Sequence, residues 1–238
     1  WKSPSNIALI KYWGKKELQI PINPSLSFTL TNCNTSTTID YSFSEDGFKY
    51  EFYFHNELKP KFNKKLDIFF ERVIEYLPFL QKLSLKIKSK NTFPHSSGIA
   101  SSASAFSSLA LCLVDIEKSI TKINDSYFKS SFISRLGSGS ACRSIFGPAA
   151  MWGKTNLIAN SNDYYSIPFI LSDFFKEYHD TILIIDESSK SVSSSIGHNL
   201  MNKHQFKNNR IAQANKNFEK ITQFIKHQNV LDFAKIVE

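Results

Sequence analysis

Residues Pro94 to Ser104 read PHSSGIASSAS and join two runs of different periodicity. Before them, Leu83, Leu85 and Ile87 alternate with Ser84, Lys86 and Lys88, the period of two expected of a half-buried strand. After them, AFSSLALCLVDIEKSI has the length and apolar density of a helix packed into a core. A strand that feeds a buried helix through a loop of small residues requires a fold with both layers. It also leaves unpaired amides at a helix amino end, where they and the helix dipole favour negative charge. A phosphate chain fits such a loop. The Gly-Lys-Ser/Thr ending of a P-loop is missing, and Gly98 alone cannot supply the spacing G-x-G-x-x-G. From composition alone, a Ser/Gly connector with no ligand competes with the phosphate reading.

Two further segments point the same way. In SNIALIKYWGK, Ser5 to Lys15, Ile7 and Leu9 alternate as on a strand and Gly14 breaks it. Lys11, Tyr12 and Lys15 are thus delivered at a strand end, where an edge strand with solvated lysines is the plainer alternative. In RLGSGSACRS, Arg135 to Ser144, Gly137 and Gly139 permit close backbone approach. Ser138 and Ser140 offer hydroxyls there, and Arg143 a planar fork suited to carboxylate or phosphate. The plainer alternative is a Gly-Ser turn with a surface arginine.

SNIALIKYWGK, followed by PINPSLS, resembles the amino-terminal signature of the diphosphomevalonate decarboxylase family, and RLGSGSACRS resembles the same family. FPHSSGIASSAS resembles the nucleotide loop of the wider GHMP kinase superfamily. The resemblance implies ATP- and Mg²⁺-dependent phosphorylation of the 3-hydroxyl of mevalonate 5-diphosphate. Loss of phosphate and CO₂ then gives isopentenyl diphosphate, a step of isoprenoid biosynthesis in the mevalonate pathway. It places Lys11 and Arg143 at the reacting centre, and Tyr12, Lys15, Ser138, Ser140 and Arg143 on the substrate's diphosphate and carboxylate. Ser96, Ser97, Gly98, Ala100, Ser101 and Ser102 fall by the nucleotide, with Ser102 also toward the metal. In KSVSSSIGH, Ser194 or Ser195 is expected to reach the substrate diphosphate, although His198 stands where the family often has methionine. The family's catalytic aspartate lies in an Asp-Ala-Gly motif that residues 1–238 lack. The expectation is that the natural protein continues past Glu238 and carries it there. A chain opening at Trp1 is likewise expected to have lost something upstream. A kinase of the same superfamily, or a decarboxylase acting on mevalonate monophosphate, is the alternative.

The net charge of +8 suits an acidic partner. Its lysines are spread along the chain with no basic block, and the phenylalanines follow core periodicities. This favours a multiply charged small molecule over nucleic acid or a membrane surface. No apolar run reaches membrane-spanning length. Cys33, Cys112 and Cys142 are odd in number and scattered, which argues for a reducing compartment and a cytoplasmic enzyme. Cys112 and Cys142 read as packing residues, and His95 as a turn residue or a nucleotide contact. A homodimer is expected by family analogy only.

The element order reads as α+β. Strands are expected at Ala8–Tyr12, Ser25–Asn32, Thr37–Phe43, Lys49–His55, Leu83–Lys88, Ala149–Trp152 and Thr181–Asp186. Helices are expected over Asn63–Leu80, after the phosphate loop, over Asp125–Ser134, from Ser140, and through Ile211, Ala214, Phe218, Ile221 and Ile225. The resemblance implies a two-lobed GHMP-kinase-like fold. Its amino-terminal lobe, residues 1–177, would carry the left-handed βαβ crossover. Residues 178–238 would form an incomplete, ferredoxin-like carboxyl lobe.

Overall fold

The computed structural model describes residues 1–95, 98–123, 127–183, 197 and 200–238. It is an α+β structure built on a seven-stranded mixed sheet. The strands are β1 (Lys2–Ile10), β2 (Ser25–Phe43), β3 (Lys49–Phe54), β4 (Glu57–Leu58), β5 (Leu83–Asn91), β6 (Ala149–Trp152) and β7 (Ile167–Pro168). The helices are α1 (Asn63–Val73), α2 (Ser101–Thr121), α3 (Tyr127–Gly137), α4 (Asp173–Lys176), α5 (Lys207–Lys226) and α6 (Val230–Val237). Among the described residues no helix is long and apolar enough to cross a membrane.

Strand β2 organises the sheet. One edge pairs antiparallel with β1; the other pairs antiparallel with β6 at Ser25–Phe28 and with β5 at Thr35–Phe43. Only β3 and β5 run parallel, joined by a crossover through β4 and α1. Two strands were expected where β2 runs unbroken. The polar Thr31-Asn32-Cys33 stretch is not a turn but a bulge, since Pro4 faces Asn34 while the next residue, Ser5, faces Leu30. Asn34 Nδ2 closes the bulge on the Thr31 carbonyl at 2.7 Å. A bulge absorbs extra residues without ending a strand.

Helix α1 is shorter than its apolar face suggested and ends at Val73. Pro78 disfavours helical backbone at Leu77, and a 3₁₀ turn over Pro78–Lys82 follows. Leu77 and Leu80 remain buried, so the face is continued by a different conformation. Two other expectations also change. The segment after Ser138 is a 3₁₀ helix, Gly139–Ile145, and Thr181–Leu183 form no strand. The rest of that predicted strand lies outside the described residues.

Two large apolar cores pack on the sheet, with a small third cluster of Leu30, Phe93 and Ile99. One joins Leu66, Phe69, Phe70 and Val73 of α1 to Leu83, Leu85 and Ile87 of β5 and to Leu109, Leu113, Ile133 and Leu136 of α2 and α3. The other joins Ile10, Leu26, Phe28 and Met151 to Phe175, Ala214, Phe218, Ile221, Ile225 and Phe233. The second core therefore draws residues from both sides of the 177/178 division. Helix α2 meets the strands through hydroxyls: Ser107 accepts from Ser3 at 2.6 Å, while Ser104 and Ser108 pair with Thr35 at 2.6 Å and Thr37 at 2.7 Å. Small side chains let the helix approach closely, and the hydroxyls of Ser104, Ser107 and Ser108 are satisfied there.

Phe69 is fully buried, its ring 5.1 Å from that of Phe106, whereas Phe43 is 75% exposed. Phe69→Ala should therefore lower the unfolding free energy by about 3–5 kcal/mol. Phe43→Ala should change it by less than about 0.5 kcal/mol. Urea denaturation of the two variants checks this; equal losses would refute the assigned core.

Candidate active site

Strand β1 ends at Ile10, so Lys11 and Tyr12 lie just beyond a fixed strand end. Buried Asn23 holds them. Its Oδ1 accepts from the Trp13 amide at 2.9 Å, and its Nδ2 donates to the Lys11 carbonyl at 2.9 Å and the Pro24 carbonyl at 2.8 Å. The Lys11 side chain is exposed. Tyr12 packs edge-on against Trp152, ring centres 5.0 Å apart. Burial pushes its phenol pKa up to about 12. Lys15 pairs with Pro21 across a short loop, and its Nζ donates to Gln19 Oε1 at 2.7 Å.

The Gly139–Ile145 turn meets this strand end. An added Cβ at Gly139 would lie 2.9 Å from both the Trp152 ring and the Tyr12 hydroxyl, so only glycine fits. The Ser140 amide hydrogen-bonds the Tyr12 hydroxyl. Arg143 is 2% exposed; its guanidinium donates to Ser27 Oγ at 3.0 Å, Ser25 Oγ at 2.6 Å and Asn6 Oδ1 at 3.3 Å. It also lies 5.9 Å from the Tyr12 ring centre. Burial pulls its pKa below the ordinary guanidinium value. Asn6 links the parts further, its Nδ2 donating to the Ser140 carbonyl at 3.1 Å and to Ser144 Oγ at 2.7 Å. Cys142 is a packing residue: it is fully buried, and burial pushes its thiol up to about 12.

The phosphate loop approaches the same place. Gly98 takes φ +95° with open space where a Cβ would stand, and Ala100 takes φ 49°. Ser5 Oγ tethers the loop through the Ile99 carbonyl at 2.6 Å. The residue before helix α2, Ala100, makes no side-chain capping bond to its first-turn amides. Ser102 is exposed there and stands 3.4 Å from Ser138 Oγ, which stands 3.4 Å from Ser140 Oγ. A row of hydroxyls therefore runs from the α2 amino end to Ser140, whose amide meets the Tyr12 hydroxyl. His95 packs edge-on between Phe54 and Phe62, and burial, then Lys61, Lys65 and His55, lowers its pKa. Ser96, Ser97, Ser194 and Ser195 lie outside the described residues.

Two candidates escaped the sequence reading. Asn6 lies inside the first signature, and its signal was a polar residue in a strand otherwise set by Ile7 and Leu9. Arg72 of α1 donates to the Leu136 carbonyl at 2.8 Å, and its charge helps to lower the pKa of Lys15, second to burial. On its helix Arg72 looks like any solvated arginine; only the fold sets it against Lys15. Among the described residues no group of three or more His, Cys, Asp or Glu is placed to hold a metal. What the arrangement offers is cationic and hydroxyl donors around one space, suited to a large anion.

Residues 3–164 match the diphosphomevalonate decarboxylase-like N-terminal domain family. Over 208 residues the chain is 35% identical to the diphosphomevalonate decarboxylase of Ganoderma lucidum, an alignment spanning 82% of this chain and 51% of that one. Its identity with the Saccharomyces cerevisiae enzyme is 29% over 249 residues, spanning 98% of this chain and 61% of that one. The chain thus spans about half the length of the curated relatives it matches. The crystal structure of mevalonate diphosphate decarboxylase from Staphylococcus aureus superposes with a TM-score of 0.81 at 28% identity, over 100% of this chain and 70% of that one. A structure described as MDDEF in complex with MVAPP, AMPPCP and magnesium gives 0.82 at 28% identity, with the same coverage. With its strand-end lysines, its GSGSACRS turn and its serine loop set around one space, the chain belongs to the diphosphomevalonate decarboxylase-like family.

Proposed function

We propose that the protein catalyses the ATP-dependent decarboxylation of mevalonate 5-diphosphate to isopentenyl diphosphate. The observation that carries this reading is the row Ser102, Ser138, Ser140 and Tyr12, which joins a nucleotide-type helix end to the strand end bearing Lys11. Nucleotide phosphates would lie on the α2 amides and on Ser101 and Ser102, with Gly98 and Ala100 shaping the loop and Ser96 and Ser97 flanking it. The substrate diphosphate would lie among Tyr12, Lys15, Arg72, Ser138 and Ser140, with a further hydroxyl expected from Ser194 or Ser195. Arg143 supplies positive charge from beneath the floor.

In the reaction, the 3-hydroxyl oxygen takes the γ-phosphoryl group, its proton passes to a carboxylate base of the kind the family resemblance implies, and ATP leaves as ADP. The C3–O bond then breaks and releases phosphate. The electron pair of the bond to the carboxylate becomes the new C=C as CO₂ departs. Lys11 and Arg143 stabilise the charge that builds on the leaving phosphate, while Tyr12 donates a proton-bearing hydroxyl without losing it. Positioning and charge account for most of such catalysis. Magnesium fits as a phosphate-borne ion: Ser102 offers one hydroxyl, and the nucleotide would supply most ligands, as is usual for this ion. Bound there, it neutralises charge on the phosphates. We further propose a lobe division near 177/178, with the superfamily's left-handed crossover before it.

The full-length natural protein, given ATP and mevalonate 5-diphosphate, should release ADP, phosphate and CO₂ in equal amounts. ADP without CO₂ would make it a kinase; preference for the monophosphate would change the substrate. Lys11→Ala should lower kcat by about 10²–10³ and leave ATP affinity nearly unchanged. A near-normal kcat would remove Lys11 from the chemistry. Arg143→Lys should cost about 1.5–3 kcal/mol in kcat/KM, because one ammonium cannot span Ser25, Ser27 and Asn6 together. Full activity in steady-state assays would show that the fork is dispensable.

A further inference from the structure

A second arginine is as deeply buried as Arg143 and lies outside the site residues. Arg135 of α3 is 1% exposed. Its Nε donates to the Tyr164 carbonyl at 2.6 Å, its Nη1 donates to the Leu18 carbonyl, and its guanidinium lies 5.1 Å from the Phe132 ring centre. Among the described residues no carboxylate is within salt-bridge distance of it. A buried cation spent on two backbone carbonyls is a costly way to join loops, and shorter side chains can do that work.

Its Leu18 bond explains the placement. Leu18 and Gln19 both take positive φ, 50° and 65°, in a chain position with no glycine. Such backbone persists only where surroundings impose it. The turn is closed by the Lys16 amide on the Ile20 carbonyl at 2.7 Å and the Ile20 amide on the Glu17 carbonyl at 3.2 Å. From that turn Gln19 Oε1 receives the Lys15 ammonium at 2.7 Å. The path is continuous: Arg135, Leu18 carbonyl, Gln19, Lys15.

We propose that Arg135 is a positioning residue for substrate-diphosphate recognition, holding the 17–19 turn so that Gln19 aims the Lys15 ammonium at the anion. The inference rests on the functional reading above and gives that reading a residue that touches no ligand. Lys15 alone could sample many rotamers, and fixing a charged donor in advance reduces the ordering cost of binding.

The test uses the full-length natural protein and calorimetric Kd values for mevalonate 5-diphosphate and for ATP. Arg135→Lys should weaken the diphosphate by about tenfold, the worth of one well-made charge-assisted hydrogen bond, and leave ATP within about twofold. In a Lys15→Met background the same change should have little further effect, because the two residues act through one contact. Equal weakening of both ligands, unchanged diphosphate affinity, or an undiminished penalty in the Lys15→Met background would each reduce Arg135 to a loop anchor and overturn the proposal. If Arg135→Lys does not fold, Gln19→Leu decides: it should give the same diphosphate-only loss, and wild-type affinity would break the path. A wild-type protein that binds ATP but not mevalonate 5-diphosphate overturns the functional reading and this one together; failure of the variants alone overturns only this one.

Discussion

The structure depends on how it keeps a guanidinium in its interior without a counter-charge. Arg143 is held by two serine hydroxyls and an asparagine carbonyl, all neutral acceptors. Neutral acceptors satisfy the hydrogen-bonding needs of a buried cation but leave its field uncancelled. A carboxylate in their place would have formed a closed pair with little attraction left for a ligand. The surrounding sequence follows from this choice. Ser25 and Ser27 point to one side of β2, Asn6 stands in the middle of β1, and Gly139 leaves room for Tyr12 above. The site is electropositive because its supports are polar and uncharged.

Sequence periodicity located most elements because most faces are packed on one side only. The β5 alternation of Leu83, Leu85 and Ile87 appears as it was read, and α2 follows the serine loop. The misjudged boundaries share a cause: a local signal was overruled by tertiary contact. The polar Thr31–Cys33 stretch resembles a turn, yet pairing on both sides keeps β2 extended through a bulge. Leu77 continues the spacing of α1, yet Pro78 bends the chain while the side chain stays buried. Ser140 resembles a helix start, but the next residues wind as a 3₁₀ turn that brings Arg143 beneath Tyr12.

Sequence motifs marked the segments that the fold brings side by side. Lys11, Tyr12, Ser138, Ser140, Ser102 and Arg143 come from three segments that the fold gathers. Asn6 and Arg72 were not legible, nor was the way Asn23 holds the Lys11 backbone. Each acts by what it touches in three dimensions, and none has a spacing that a helix or strand period would mark. Arg143 was expected to present its fork; its depth was the part that the sequence could not convey.

One consequence follows from the unbroken run of β2. Its amino half lines the core that holds α5 and α6, and its carboxyl half carries β5 and the core beneath α1. A strand of 19 residues, bulged once at Thr31–Cys33, is common to both. Its two halves share one backbone and one partner, β1, which pairs with residues on both sides of the bulge. Amide protons along Ser25–Phe43 should therefore share one opening free energy, and the two cores should behave as a single cooperative unit. The amino end of α2 is tied to that unit through Ser5 on the Ile99 carbonyl and Ser104 on Thr35, and the strand end bearing Lys11 continues β1, which pairs along β2.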